Sequence, residues 1–328
     1  MLAFTQHVSK LCGYAPALPT PFRSDESVDF AALERLCGRQ IERGANALVV
    51  CGTTGEAPTL TAAEHRSIVA TAVRIARGRV PVIAGAGSNS TAHAITLTKD
   101  AEAAGADAAL SIVPYYNKPT QAGLYAHFSA IAQGSALPII LYDVPSRTAC
   151  ALADDTVVRL AELPQIIGLK DATGDVTRPQ RLRRMVPEHF RLLTGDDATA
   201  LAFFAQGGDG CISVTSNVAP ALCRSMFLWA RRGSLVHAQR LSAAISRLTE
   251  LLFKETNPAP VKYALSLFGL VEPNVRLPLV EASVSLRTEI DACLGALSIG
   301  YPGELVGELE SLPIRNPDLI LDRRMSFV

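Results

Sequence analysis

Lys170 is the residue of this chain best placed for covalent chemistry, because of the stretch that carries it: Ile166-Ile167-Gly168-Leu169-Lys170-Asp171-Ala172-Thr173-Gly174. An apolar run bounded by Pro164 and Gly174 reads as a buried strand of parallel-sheet type. Side chains alternate along a strand, so Ile166, Gly168 and Lys170 are expected on one face, with Gly168 leaving open space beside the amine. Burial disfavours the charged form of an amine, and a neutral amine adds to a carbonyl carbon to form a Schiff base. The competing reading is a lysine that ends its strand and turns its head back into water.

Other reactive types recur where apolar runs end. One run ends in Gly52-Thr53-Thr54-Gly55-Glu56, another in Pro114-Tyr115-Tyr116-Asn117, and a third in Tyr142-Asp143-Val144-Pro145-Ser146-Arg147. Two more end in Thr194-Gly195-Asp196-Asp197 and Val214-Thr215-Ser216-Asn217. The threonine pair reads either as a turn with Thr54 capping the next helix, or as a cradle of N–H and hydroxyl groups for a carboxylate. Tyr142 reads as a core tyrosine or as a proton shuttle. Arg147 reads as a surface ion-pair partner or as a bidentate clamp on a carboxylate. Asp196 and Asp197 suit Mg²⁺ by type, but no histidine nearby supports a metal site. Their negative charge opposes a phosphorylated substrate, and equally pyridoxal phosphate as the partner of the lysine. A lysine with tyrosine, threonine and arginine suits a Schiff-base lyase acting on a small oxo-acid.

These residues need elements to position them. Strand-like runs are expected at 15–19, 47–51, 80–84, 108–113, 138–142, 166–170, 190–194 and 210–214, separated by the length of a βα unit. Amphipathic helices are expected between them: at 30–41, with Asp29 as N-cap and Gly44 just past the end, at 62–75 and at 124–131. Strict alternation with eight strands predicts an α/β fold, a (β/α)8 barrel whose chemistry gathers at the C-terminal ends of the strands. Gly85-Ala86-Gly87 lacks the third glycine and the later acid of a dinucleotide fingerprint, and reads as a tight turn. Beyond about 220 the pattern is helical, at 222–231, 235–253, 260–268 and 284–297, with breaks at Asn257-Pro258 and Pro273-Asn274. The expected division is a catalytic barrel (1–233), a helical region packed on it (234–300) and a loosely packed tail (301–328).

Composition narrows the class. The chain has 328 residues, 48% hydrophobic and 19% charged, enough for a sizeable core. Lys plus Arg and Asp plus Glu are each 31, which disfavours nucleic acid or an anionic membrane as partner. No apolar run approaches the roughly 18 residues of a membrane span, and the first residues do not read as a secretory signal. The 7 cysteines include no Cys-x-x-Cys pair, which suits a reducing cytoplasm better than a disulfide framework or a zinc site.

Taken together, GTTGE (52–56), PYYNKPTQAGLY (114–125), LYDVPSRT (141–148), GLKDATGD (168–175), LLTGDDA (192–198) and CISVTSN (211–217) resemble the dihydrodipicolinate synthase family. That family belongs to the pyruvate-dependent Schiff-base aldolases that include N-acetylneuraminate lyase. The resemblance implies a homotetramer (a dimer of dimers) with no metal or pyridoxal phosphate, in which Lys170 forms an imine with pyruvate. It implies Tyr142 as the acid–base residue, with Thr53 and Tyr116 completing a proton relay and Tyr116 acting across a subunit interface. Arg147 would bind the carboxylate of aspartate semialdehyde, while Thr54, Gly195 and Ile212 would hold pyruvate and its adduct. The implied reaction joins pyruvate to aspartate semialdehyde on the route to diaminopimelate and lysine. A sister enzyme taking a sugar acid is the runner-up, opposed by Arg147, and a silent binding relative is opposed by the complete Lys-Tyr-Thr-Tyr set. Asp143 replaces the asparagine usual in the motif. Ala62 and His93 stand where lysine-sensitive members carry histidine and glutamate. His65, Asn89 and Tyr115 are kept, but an acid that would neutralise the ammonium of lysine is missing, so inhibition by lysine is expected to be weak or absent.

Overall fold

A computed structural model describes residues 11–300. The expected tail at 301–328 lies outside the described residues. Eight short strands are formed: β1 (Gly13–Pro16), β2 (Leu48–Val50), β3 (Val82–Gly85), β4 (Ala108–Ile112), β5 (Ile139–Asp143), β6 (Ile166–Asp171), β7 (Arg191–Thr194) and β8 (Gly210–Ser213). They pair in parallel in the order β1-β8-β7-β6-β5-β4-β3-β2. The ring closes between β1 and β2 through the bridge Ala17–Val49 and the bonds Leu18 N to Val49 O and Asn46 N to Tyr14 O, each 2.8 Å. The fold is the (β/α)8 barrel expected from the alternation. β1 begins earlier than expected because its pairing with β8 starts at Gly13, opposite Gly210, where Gly13 N donates to Asp209 O at 3.0 Å.

Helices α1 (Phe30–Glu42), α2 (Ala62–Ala76), α3 (Thr91–Ala103), α4 (Gln121–Gly134), α5 (Pro145–Thr148), α6 (Asp154–Ala161), α7 (Arg178–Arg183) and α8 (Ala200–Ala205) fall between the strands. Local chemistry sets where they start. The Asp29 carboxylate accepts the Ala32 N–H at 3.0 Å and caps α1, whose Leu33, Leu36 and Cys37 are buried at helical spacing. Thr61 and Glu64 form a reciprocal capping box at the start of α2.

Two apolar layers result. Ala17, Val49, Ile83, Leu110, Ile140 and Ile212 fill the barrel interior, while Leu36, Ile68, Phe128, Leu141, Leu160 and Leu169 lie between strands and helices. Helices α9 (Pro220–Arg231), α10 (Leu235–Lys254), α11 (Ala259–Ser266) and α12 (Val284–Gly300) follow β8. Leu248, Leu251, Leu252, Val261, Leu265 and Ile290 from this region join the outer layer. Each such side chain contributes about 1.5–3 kcal/mol through burial. The helical region is therefore continuous with the barrel's core.

One strand departs from simple alternation. Ile139 pairs with Ile166, but Ile140 pairs with Gly168, so β6 bulges at Ile167. Ile166 consequently packs in the outer layer and Ile167 in the interior. Gly168 and Lys170 keep the inward face, in register with Ile140 and Tyr142. The expectation that Ile166 shares the face of Lys170 is corrected by this extra residue.

Candidate active site

Lys170 sits near the C-terminal end of β6, directly across the register from Tyr142 on β5. Its Nζ lies 4.0 Å from the centroid of the Tyr142 ring, and the two residues are only 6% and 7% exposed. The phenol face, rather than water, thus covers much of the ammonium. The space beside the amine does not come from Gly168. A Cβ there would lie 2.6 Å from the Arg191 carbonyl oxygen, so Gly168 instead permits β7 to approach β6 closely. The room comes from Gly195, just after β7, where a Cβ would meet Lys170 Cε at 2.6 Å.

These groups open onto a cavity of about 380 Å³ lined by Thr53, Thr54, Tyr142, Arg147 and Lys170. Gly195 and Ile212 form part of the same wall. Tyr116 stands apart: it is 88% exposed, does not line the cavity, and holds a left-handed φ of +73°. Arg147 extends from the short helix α5 and is exposed on the cavity wall. The cavity walls therefore carry the cations Lys170 and Arg147, the carboxylate of Asp196 and the threonines Thr53 and Thr54.

The threonine loop is held from outside the barrel. Asn257 Nδ2 donates to Thr54 Oγ1 at 3.0 Å, joining the segment before α11 to the cavity. Glu56, in left-handed conformation at φ +54°, pairs with Lys262 of α11, both side chains being fully buried. The second oxygen of Glu56 accepts the Arg276 N–H at 3.0 Å. Lys262 also donates to Asn274 O at 2.7 Å and lies 4.2 Å from the Phe22 ring centroid. Burial pulls the Lys262 ammonium down to about 8, against the attraction of Glu56. The Arg276 guanidinium adds bonds to Thr59 O (2.8 Å), Glu26 O (2.7 Å) and the Glu64 carboxylate (2.5 Å).

Behind the lysine, the outward carboxylates at the ends of β5 and β6 share one cation. Arg178 Nη1 donates to Asp143 Oδ2 at 2.8 Å and to Asp171 Oδ2 at 3.4 Å, and its Nε donates to Asp154 Oδ1 at 2.8 Å. Burial pushes the Asp143 carboxyl upward, and Arg178 opposes that shift. An aspartate at this motif position is thus matched by a buried arginine 35 positions later. Asp197 Oδ2 accepts the Val214 and Thr215 N–H groups (2.7 and 3.0 Å) and Oδ1 accepts the Ser213 hydroxyl (2.5 Å), tying β7 to β8. Asp196 accepts from Ala198 N and Thr199 Oγ1. Both acids are engaged in loop structure, and among the described residues no group of three or more His, Cys, Asp and Glu side chains is arranged to hold a metal ion. The glycines at 85 and 87 serve close backbone approach: a Cβ would fall 2.0 Å from Cys51 O at the first and 2.3 Å from Ile112 N at the second. Of the residues linked by resemblance to lysine binding, His65 already donates Nε2 to the Gly85 carbonyl at 2.7 Å.

Asn257, Lys262 and Arg178 escape the sequence reading. Asn257 appears there only as part of a helix break, and nothing in local spacing connects it to a threonine 203 positions earlier.

Known proteins resemble this chain along nearly the whole of its described length. Residues 10–297 match the Dihydrodipicolinate synthetase family. A 4-hydroxy-tetrahydrodipicolinate synthase of Thiobacillus denitrificans is 52% identical over 84% of this chain and 93% of its own length. One from Gluconobacter oxydans is 49% identical over 88% of this chain and 97% of its own. Among solved structures, the chloride-inhibited dihydrodipicolinate synthase of Acinetobacter baumannii complexed with pyruvate superposes with a TM-score of 0.86. It is 45% identical and covers 88% of this chain and 99% of that one. The chain belongs to the dihydrodipicolinate synthetase family.

Proposed function

We propose that the chain is a Schiff-base lyase that condenses pyruvate with L-aspartate 4-semialdehyde to give 4-hydroxy-tetrahydrodipicolinate. The observation that carries this reading is Lys170, 6% exposed inside the cavity, with the Tyr142 ring against its amine and two threonines and an arginine on the same walls. The Lys170 amine adds to the pyruvate carbonyl, water leaves, and an imine forms. Loss of a methyl proton gives the enamine, whose carbon attacks the aldehyde. The substrate's own amine then attacks the imine carbon, closes the ring and releases Lys170. Tyr142 moves protons in these steps, relayed through Thr53 and through Tyr116 of a neighbouring copy. Thr54, Gly195 and Ile212 hold pyruvate, and Arg147 clamps the carboxylate of the aldehyde.

The reaction needs neither metal nor pyridoxal phosphate, since the imine on Lys170 is the electron sink. The reading makes the enzyme a cytoplasmic homotetramer, with the barrel (1–233) as catalytic unit and residues 234–300 bracing its threonine loop. No helix among the described residues is long and apolar enough to cross a membrane. The test is product analysis with pyruvate and a panel of aldehydes. L-Aspartate 4-semialdehyde is expected to give the cyclic product with the highest kcat/KM, whereas preference for a sugar aldehyde would move the chain to a sister activity.

A further inference from the structure

Neither Glu56 nor Lys262 borders the cavity, and both side chains are fully buried. Taking two charges out of water costs more than their attraction commonly returns, so well-packed apolar residues would hold the fold at least as well. Burial works against this pair, pulling the Lys262 ammonium down to about 8. A pair kept on such terms calls for a geometric reason, and the backbone beside it supplies one. Cys51 and Glu56, neither of them glycine, both hold a left-handed φ of +54° and bracket the loop at 52–55. Such conformations persist only where surrounding bonds over-determine them. Here those bonds gather at the C-terminal side of the loop. Thr20 Oγ1 donates to Gly55 O at 2.7 Å, while the Lys262 ammonium and the Arg276 N–H each hold one oxygen of Glu56.

Glu56 is joined in turn to Thr53. Its N–H donates to Thr53 O at 3.1 Å, closing a turn whose first residue borders the cavity. A shift of the Glu56 side chain is therefore passed through the turn to the threonine assigned to the proton relay. Thr54 is secured separately, by Asn257 Nδ2 at 3.0 Å. We infer that Glu56 and Lys262 are positioning residues of the reaction, a charged pair that fixes Thr53 where the relay to Tyr142 needs it. This inference rests on the proposed function and adds two residues to it, neither of which touches substrate. It makes α11, outside the barrel, part of what sets the rate. Displacing a relay group by about 1 Å can cost on the order of a hundredfold in rate, whereas the imine on Lys170 forms at equilibrium without it.

The test uses Glu56→Gln combined with Lys262→Met, which removes both charges and keeps an acceptor for the Arg276 N–H. Borohydride trapping of pyruvate on Lys170 counts the folded chains. The rate with L-aspartate 4-semialdehyde is then expressed per trapped site, so that unfolded chains do not enter. kcat is expected to fall roughly ten- to a hundredfold, while the pyruvate concentration that half-saturates trapping changes by less than about threefold. In a Thr53→Val background the same double substitution should cost less than about threefold more, because the group it displaces is already gone. A kcat close to wild type in the double variant would overturn the inference. So would an equal fold-loss in both backgrounds, the signature of damage that does not pass through Thr53. If the double variant yields no trapped sites, Glu56→Gln alone leaves Lys262 in place and should show a smaller loss with the same dependence on Thr53. A loss independent of Thr53 there overturns the inference as well. Wild type that makes no cyclic product contradicts the proposed function itself, and a fully active Thr53→Val contradicts its relay, whereas the other outcomes decide only the role of the pair.

Discussion

Tyr142 touches Lys170 through the face of its ring, while its phenolic group is the part assigned to proton transfer, and the two contributions are separable. Tyr142→Phe keeps the ring over the amine and removes the proton, so kcat should fall about 10²–10⁴-fold with little change in thermal stability. Thr53→Val should cost less, because it interrupts the relay and leaves the acid in place. Initial rates of the two variants decide this, and near-wild-type activity in Tyr142→Phe would remove that residue from the mechanism. At this scale the sequence is informative about groups that share a motif. Lys170, Tyr142, Thr53, Thr54 and Arg147 each end an apolar run, and β-strand ends converge once the barrel closes. It is silent about partners that act across the fold. The space beside Lys170 comes from Gly195 rather than Gly168, because the separation of β6 and β7 is set by packing and not by spacing along one strand.

Among the elements, α11 and the segment around Arg276 do more than cover the barrel, since the Lys262 ammonium and the Arg276 backbone N–H both hold Glu56 of the loop at 52–56. The fully buried Glu56–Lys262 pair makes a sharp prediction. Lys262→Met strands a buried carboxylate and should cost about 3–5 kcal/mol in denaturant unfolding, whereas Glu56→Gln combined with Lys262→Met should recover most of that loss. Equal losses in the single and double variants would show that packing, not charge, is what matters there. Arg276 binds the carboxylate that caps α2, and this bond holds the Glu64 carboxyl down to about 2 from its ordinary 4.5. A lowered carboxyl stabilises the fold above about 4.5, where the unfolded side chain is also ionised, and that stabilisation drains away as pH falls toward about 2. The Glu64 side chain is 24% exposed, so solvent screening reduces the gain to on the order of 1 kcal/mol. Glu64→Gln preserves the capping box, so its stability should lag wild type near pH 6, and most of that gap should close by about pH 2.5 in urea titrations. A constant gap at both values would refute this account of the pair. The strands are readable because burial on both faces leaves an uninterrupted apolar run, and the helices because burial on one face leaves apolar residues at helical spacing. The bulge in β6 is not, since one extra residue leaves composition and run length unchanged.

At the scale of the whole molecule, Tyr115 and Tyr116 project outward at 38% and 88% exposure, with Tyr116 in a left-handed conformation that is costly for a bulky residue. Strain and an exposed aromatic ring at one position fit a residue that completes a neighbour's cavity. Activity per chain should therefore fall when the protein is diluted until light scattering or sedimentation reports monomers, and Tyr116→Ala should lose activity without losing imine formation. A fully active monomer would contradict that arrangement. A single sequence shows which residues are aromatic but not which surface a second copy covers, so assembly is the least legible level.

The central claim is that Lys170 is the nucleophile, and borohydride trapping tests it most directly. Pyruvate followed by reduction should add one stable adduct per chain, on the peptide containing Lys170, and Lys170→Ala should abolish it while the fold persists. An adduct on any other lysine, or none on wild type, would contradict the account.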